Sequence, residues 1–190
     1  PAEATFADPV VAARRAATFV DEVLRAGTTA GLFFGPPFLA ASLQFLASAP
    51  HGMFDGPALM ETECPSALQT PAVDVLQAIA ALPPEQRARL SIAPRFAPNL
   101  TPDGLAACGA TATRLGMPAQ SHLSENLDEV AWVRSLYPDA RDYTDAYDRA
   151  GLLGAHVVMA HAIHLSGAEL ARLAATGTMI AHCPTSNEAL

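Results

Sequence analysis

The chain has 190 residues, of which 51% are hydrophobic and 16% charged, and a formal net charge of -8 at pH 7. That is enough apolar material for a substantial buried core, which argues against disorder. The acidic balance, with a pI near 5.1, argues against a nucleic-acid partner, since phosphate binding calls for clustered Lys and Arg, and no apolar run approaches the ~20 residues that span a bilayer.

Asp8-Pro9 predicts a helix start, with Val10, Ala13, Ala17, Val20 and Leu24 on one face and Gly27 as the stop. Thr28 to Phe34 reads as a strand, Gly35-Pro36-Pro37 as a turn, and Phe38 to Ala47 as a helix buried through Leu39, Leu43 and Leu46. Ala58-Leu59-Met60 is a short strand and Glu61 to Gln69 a loop. Thr70-Pro71 caps a helix that buries Val75, Ile79 and Leu82 and ends at Pro83-Pro84. Leu90 to Ala93 is the next strand, delivering Arg95 and Phe96 to its carboxyl end, and Thr101-Pro102 opens a helix closed by Gly116.

Ala119 onward reads as a strand ending on His122, followed by a helix over Asp128 to Leu136 with Val130, Val133 and Leu136 inward. A helix from Asp142 to Ala150 is capped by Asp142, and His156 to His161 is a strand. Ser166-Gly167-Ala168-Glu169 matches a capping box whose helix runs to Gly177, and Thr178 to His182 is the last strand before Pro184. Six strands separated by helices predict an α/β fold with a parallel sheet, and no composition break divides residues 1–190 into domains.

Three polar sites recur at predicted strand ends: Arg95-Phe96, His122 with Glu125, and His161. In a (β/α) barrel all strand ends open on one face, so such residues meet around one substrate. A neutral imidazole binds Zn²⁺, and a nearby carboxylate outside the metal shell carries protons to and from an activated water, roles that His122 and Glu125 can divide. The plain alternatives are a hydrogen-bonded core histidine beside a helix-starting Glu, a salt-bridging Arg95 and a core Phe96. His164 and the His182-Cys183 pair lack ligand spacing and stay outside the expected metal shell. Three cysteines, Cys64, Cys108 and Cys183, without C-x-x-C spacing, suggest reduced thiols and a cytoplasmic setting; no signal-peptide pattern is found.

Ala93-Pro94-Arg95-Phe96-Ala97-Pro98, Gln120-Ser121-His122-Leu123-Ser124-Glu125-Asn126 and Met159-Ala160-His161 resemble the guanine deaminases of the amidohydrolase superfamily. Asp128-Glu129-Val130, Tyr137-Pro138, Asp142-Tyr143, Tyr147-Asp148 and His182-Cys183-Pro184-Thr185-Ser186-Asn187 extend the likeness over the second half. The resemblance implies a zinc-dependent TIM-barrel-like fold and hydrolysis of guanine to xanthine and ammonia, a step of purine catabolism. On that reading His122 is a metal ligand beside the substrate, Glu125 shuttles protons at the substrate, His161 orients water or substrate, and Arg95 and Phe96 hold guanine.

The family also has a His-x-His pair on the first barrel strand, a nearby guanine-binding Gln and a metal-binding Asp on the eighth strand, none of which matches this sequence. The six strands are therefore expected to be the second to seventh of an incomplete barrel, the middle of a longer deaminase. Ala162 stands where the family usually has Gly, and Glu61 to Gln69 does not resemble the family's segment. Open first and last strands would expose edges suited to self-association. Two other expectations are an amidohydrolase acting on another amino-heterocycle and a non-catalytic α/β fragment.

Overall fold

In the computed structural model of the chain, which describes residues 1–189, helices and parallel strands alternate. The strands are β1 (Gly31–Gly35), β2 (Met53–Leu59), β3 (Ala93–Pro94), β4 (Ala119–Leu123), β5 (Val157–His161) and β6 (Met179–Ala181). The helices are α1 (Pro9–Arg25), α2 (Leu39–Ser48), α3 (Ala72–Ala81), α4 (Pro84–Arg87), α5 (Pro102–Leu115), α6 (Leu127–Leu136), α7 (Tyr143–Arg149), α8 (Gly167–Thr176) and α9 (Pro184–Asn187).

Strand pairing follows chain order and is parallel throughout, as β1-β2-β3 and β4-β5-β6. A parallel bridge between Ile92 and Ala119 joins the two sheets: the Ile92 N–H donates to the Pro118 carbonyl and the Gln120 N–H to the Ile92 carbonyl, both at 2.9 Å. Sequential parallel strands with helical crossovers are the arrangement of a (β/α) barrel segment.

Alternation along the strands decides what faces where. Phe33 of β1 turns to the helices and meets Phe19 of α1 and Phe45 of α2 at ring-centroid distances of 5.6 and 5.4 Å. Its neighbour Phe34 takes the other face and lies 4.7 Å from the His122 ring. One apolar cluster runs from Ala16 and Val20 of α1 through Leu59, Ile92, Leu123 and Met159 to Leu173 of α8, so both sheets share a core.

Local signals set several helix ends. The Asp8 carboxylate accepts the Val10 N–H at 2.8 Å, Thr101 caps α5, Gly116 ends α5 at φ +62°, and Ser166 with Glu169 forms the capping box of α8. Asp142 caps α7 as expected.

Five elements depart from the sequence reading. β1 starts at Gly31, three residues later than expected, and β2 starts at Met53, five earlier. In the sheet a Cβ at Gly56 would collide with Ser91 and Ala93, so glycine there allows β2 to approach the next strand closely. β3 keeps only Ala93–Pro94, because Leu90 and Ile92 pair through isolated bridges on opposite sides. Thr70 does not cap α3; the Ala72 N–H donates to Glu61 Oε2 at 3.1 Å instead. Leu136 is exposed where burial was expected, since the following Tyr137 takes the inward place and donates its hydroxyl to the Ala97 and Leu100 carbonyls.

Candidate active site

The site is assembled at the carboxyl ends of β3, β4 and β5. Tyr147 of α7, fully buried, ties the first two together. Its hydroxyl donates to the His122 carbonyl at 2.8 Å, accepts the Ala97 N–H at 3.0 Å and lies 2.7 Å from the Ser121 hydroxyl, which itself donates to the Pro94 carbonyl at 2.8 Å. These bonds satisfy buried polar groups on both strands, so the clamp holds the Arg95 and His122 segments in register.

His122 Nδ1 lies 2.7 Å from the Arg95 carbonyl. A carbonyl only accepts, so the proton is on Nδ1 and Nε2 carries the lone pair. Burial pushes the His122 imidazole below its usual pKa, the Arg95 bond opposes this, and the neighbouring His161 adds to the lowering. The neutral form that results is the one that ligates metals, and a backbone carbonyl on the other ring nitrogen is the usual support of a metal-binding histidine.

His161, only 8% exposed, stacks on His122 with ring centroids 5.3 Å apart. Its Nε2 is 3.2 Å from Glu125 Oε1 and its Nδ1 is 2.8 Å from Asn187 Oδ1. The backbone here is unusual: Ser124, His161 and Ala162 have φ of +49°, +70° and +54°, the left-handed region that costs non-glycine residues about 1–3 kcal/mol each. Bonds from the Ala162 N–H to the Leu123 carbonyl (2.8 Å) and from the Ile163 and His164 N–H groups to the Ser124 carbonyl (3.1 Å each) hold this bend. Glu125 precedes α6, whose cap is Asn126, accepting the Glu129 N–H at 2.8 Å.

The Arg95 guanidinium is exposed, lies 3.3 Å from Asn99 Oδ1 and sits 5.5 Å from the Phe96 ring centroid. Arg95 and His122 line a cleft of about 630 Å³ whose apolar wall includes Phe34, Ala58, Met60 and Leu68. Phe96 packs edge-on against Trp132 at 5.8 Å and is not part of that wall. The structure thus brings His122, Glu125 and His161 together, joins Arg95 to them through its main chain and the cleft, and seats Phe96 beside α6. His164 and His182 are exposed.

Phe34, Tyr147 and Asn187 also belong to the site, and none was singled out by sequence as a site residue. Their contacts bridge positions far apart in the chain, so no local pattern announces them.

Among the described residues no group of three or more His, Cys, Asp or Glu is placed to hold a metal ion. The donor chemistry of His122 fits one ligand position, while the remaining described residues do not complete a shell.

Residues 3–190 match the amidohydrolase family. The chain belongs to that family. It is 36% identical over 199 residues to the guanine deaminase of Escherichia coli, a match covering 98% of this chain and 44% of that protein. It is 34% identical over 198 residues to a probable guanine deaminase of Deinococcus radiodurans, covering 100% and 45%. Among solved structures, the guanine deaminase of C. acetobutylicum with guanine bound in its active site superposes with a TM-score of 0.90 at 29% identity, over 98% of this chain and 46% of that one. The chain spans about half the length of these relatives. Amidohydrolases are generally metal-dependent, and in this amidohydrolase the polar cluster stands where barrel enzymes keep their chemistry, at the carboxyl ends of the strands.

Proposed function

We propose that this chain contributes the central part of a guanine deaminase, an enzyme that converts guanine and water to xanthine and ammonia. The observation that carries the reading is the convergence of His122, Glu125 and His161 at the strand ends, with Glu125 Oε1 3.2 Å from His161 Nε2. Likeness to guanine deaminases supports the choice of substrate.

His122 would hold the metal through Nε2, the nitrogen its Arg95 bond leaves free. A bound zinc supplies a water of lowered pKa. Glu125 takes the proton of the attacking water and gives it to the ring nitrogen beside the amino-bearing carbon. The carboxylate, ionised again, then carries the proton of the newly added hydroxyl to the amino group, which leaves as ammonia while that carbon becomes the new carbonyl. His161 orients the water through its contact with Glu125, and Arg95, with five N–H donors at the cleft mouth, binds the ring carbonyl. Phe96 braces Arg95 through its ring face. Three free cysteines support a cytoplasmic setting.

The test is Glu125→Gln in an intact protein carrying these residues. Metal is expected to be retained while guanine turnover falls about 10²–10⁴-fold, the worth of a positioned general base. Unchanged turnover would remove Glu125 from the mechanism. Faster turnover of another amino-heterocycle, measured across a panel of such rings, would move the substrate assignment.

A further inference from the structure

Phe33 of β1 pairs in register with Asp55 of β2, so both side chains leave the sheet toward the helices. Between the sheet, α1 and α2 lies a cavity of about 380 Å³, walled by Phe19, Phe33 and Phe45 and reached by Asp55. Asp55 is 2% exposed, and its Oδ2 has no hydrogen-bond partner among the described residues; nor has the Ser42 hydroxyl that faces it. Gly35 keeps the space over both groups open, since a Cβ there would collide with Asp55 Oδ2 and lie 2.8 Å from Ser42 Oγ. Its φ is outside the left-handed region, so this glycine serves space and not backbone conformation. Buried carboxylate oxygens are normally bonded, and an open one facing a cavity calls for a donor from outside.

We propose that this cavity binds a small protonated amine with an aromatic body, its ammonium on Asp55 and Ser42 and its ring against Phe19, Phe33 and Phe45. Charge selects the polar end. An ionised carboxylate only accepts, so the ligand must donate, and the Ser42 oxygen can accept a second ammonium N–H. Burial pushes the Asp55 carboxyl up to about 6, and a cation beside it offsets the cost of keeping it ionised. A metal ion is poorly served: hard cations take about six oxygens or more, and the only carboxylates lining the cavity are Asp55 and Glu22 of α1. The rings select the body. Their centroids lie 5.4 to 6.0 Å apart, and Phe19 remains 41% exposed, free to cover a ligand ring and to attract its cation. Asp55 lines this cavity and not the cleft at His122, so the site is independent of the deaminase reading.

The test is a titration of the 190-residue chain at neutral pH, followed in ¹H–¹⁵N spectra, with three probes of similar shape: 2-phenylethylamine, 2-phenylethanol and phenylacetate. The amine is expected to bind with a Kd below about 1 mM, with shifts centred on Gly35, Ser42 and Asp55. It should bind about tenfold tighter than the alcohol, the worth of a hydrogen bond to a charged group, and phenylacetate should not bind. Asp55→Asn keeps the shape, removes the charge and should bring the amine down to the level of the alcohol. Phe19→Ala should weaken amine and alcohol alike, by about threefold or more. Absence of amine binding, as when the Arg15 guanidinium folds in to neutralise Asp55, overturns the proposal. So do equal affinities for amine and alcohol, an affinity unchanged in Asp55→Asn, or shifts confined to the cleft at His122. Should Asp55→Asn fail to fold, the three probes on the unmodified chain and Phe19→Ala decide it.

Discussion

At the residue scale, the site is held at a cost the structure makes visible. Ala162 sits at φ +54° with its N–H committed to the Leu123 carbonyl, so it cannot relax without breaking the link between β4 and β5. Glycine carries no Cβ penalty there. Ala162→Gly is expected to raise stability by about 1 kcal/mol in chemical denaturation; a loss of stability would show that the methyl packs better than it strains. Asp55 is a second expense. It is 2% exposed, and its Oδ2 lacks a hydrogen-bond partner among the described residues. Burial pushes its carboxyl from 3.8 up to about 6, against the opposing pull of the Ser42 hydroxyl. Because the folded-state value is the higher one, the fold is best supported below pH 3.8 as far as this group is concerned, and that support is lost as pH rises through about 6. The gap corresponds to roughly 3 kcal/mol at neutral pH. Asp55→Asn should recover a large part of it at pH 7 and flatten the fall in stability between pH 4 and 6. An Asn variant less stable at pH 7 would mean that the ionised carboxylate has a partner.

At the scale of elements, one side chain outside any helix organises two of them. Glu61 accepts the Ala72 N–H through Oε2 and the Thr101 N–H and hydroxyl through Oε1, at 3.1, 2.8 and 2.6 Å, so a single carboxylate serves the N-termini of α3 and α5. Partial burial pushes its pKa up, but the Thr101 and Ala72 bonds outweigh that and lower it below the usual carboxylate value of 4.5. Its contribution is therefore present above pH 4.5 and lost as pH falls through the lower folded-state value. Glu61→Ala should cost about 2 kcal/mol, two caps at about 1 kcal/mol each, measured by denaturation at pH 7, with the difference from wild type shrinking in acid. This arrangement also shows what a sequence discloses. The caps at Asp8, Thr101, Asp142 and Ser166 are local, each side chain reaching an amide two or three residues on, and they can be read directly. Glu61 reaches Thr101 across 40 positions, and Tyr147 reaches Ala97 across 50, so their roles exist only in the folded chain. His122 and His161 were legible because strand alternation stops on them. The start of β2 was not, because Gly56-Pro57 carries a turn signature that the close approach of Ser91 overrides.

At the scale of the whole molecule, the sheet order leaves β1 and β6 as outer strands, and on β6 Met179 and Ile180 are 49% and 44% exposed. The metal chemistry has the same unfinished character. A catalytic zinc commonly takes three protein ligands besides its water. Here His122 offers a free Nε2, whereas both nitrogens of the stacked His161 are already engaged, by Asn187 and by Glu125. No third donor joins them among the described residues. A single imidazole holds zinc weakly, and a water away from the ion keeps an acidity many units below that of one bound to zinc, near 7. Glu125 then has no activated water to relieve of a proton. The purified 190-residue chain is therefore expected to carry well under one zinc per molecule by elemental analysis and to leave the ultraviolet absorbance of guanine unchanged with added zinc. One zinc per chain together with steady formation of xanthine would show that these residues rearrange to complete a shell, and would end the account of His122 as a lone ligand.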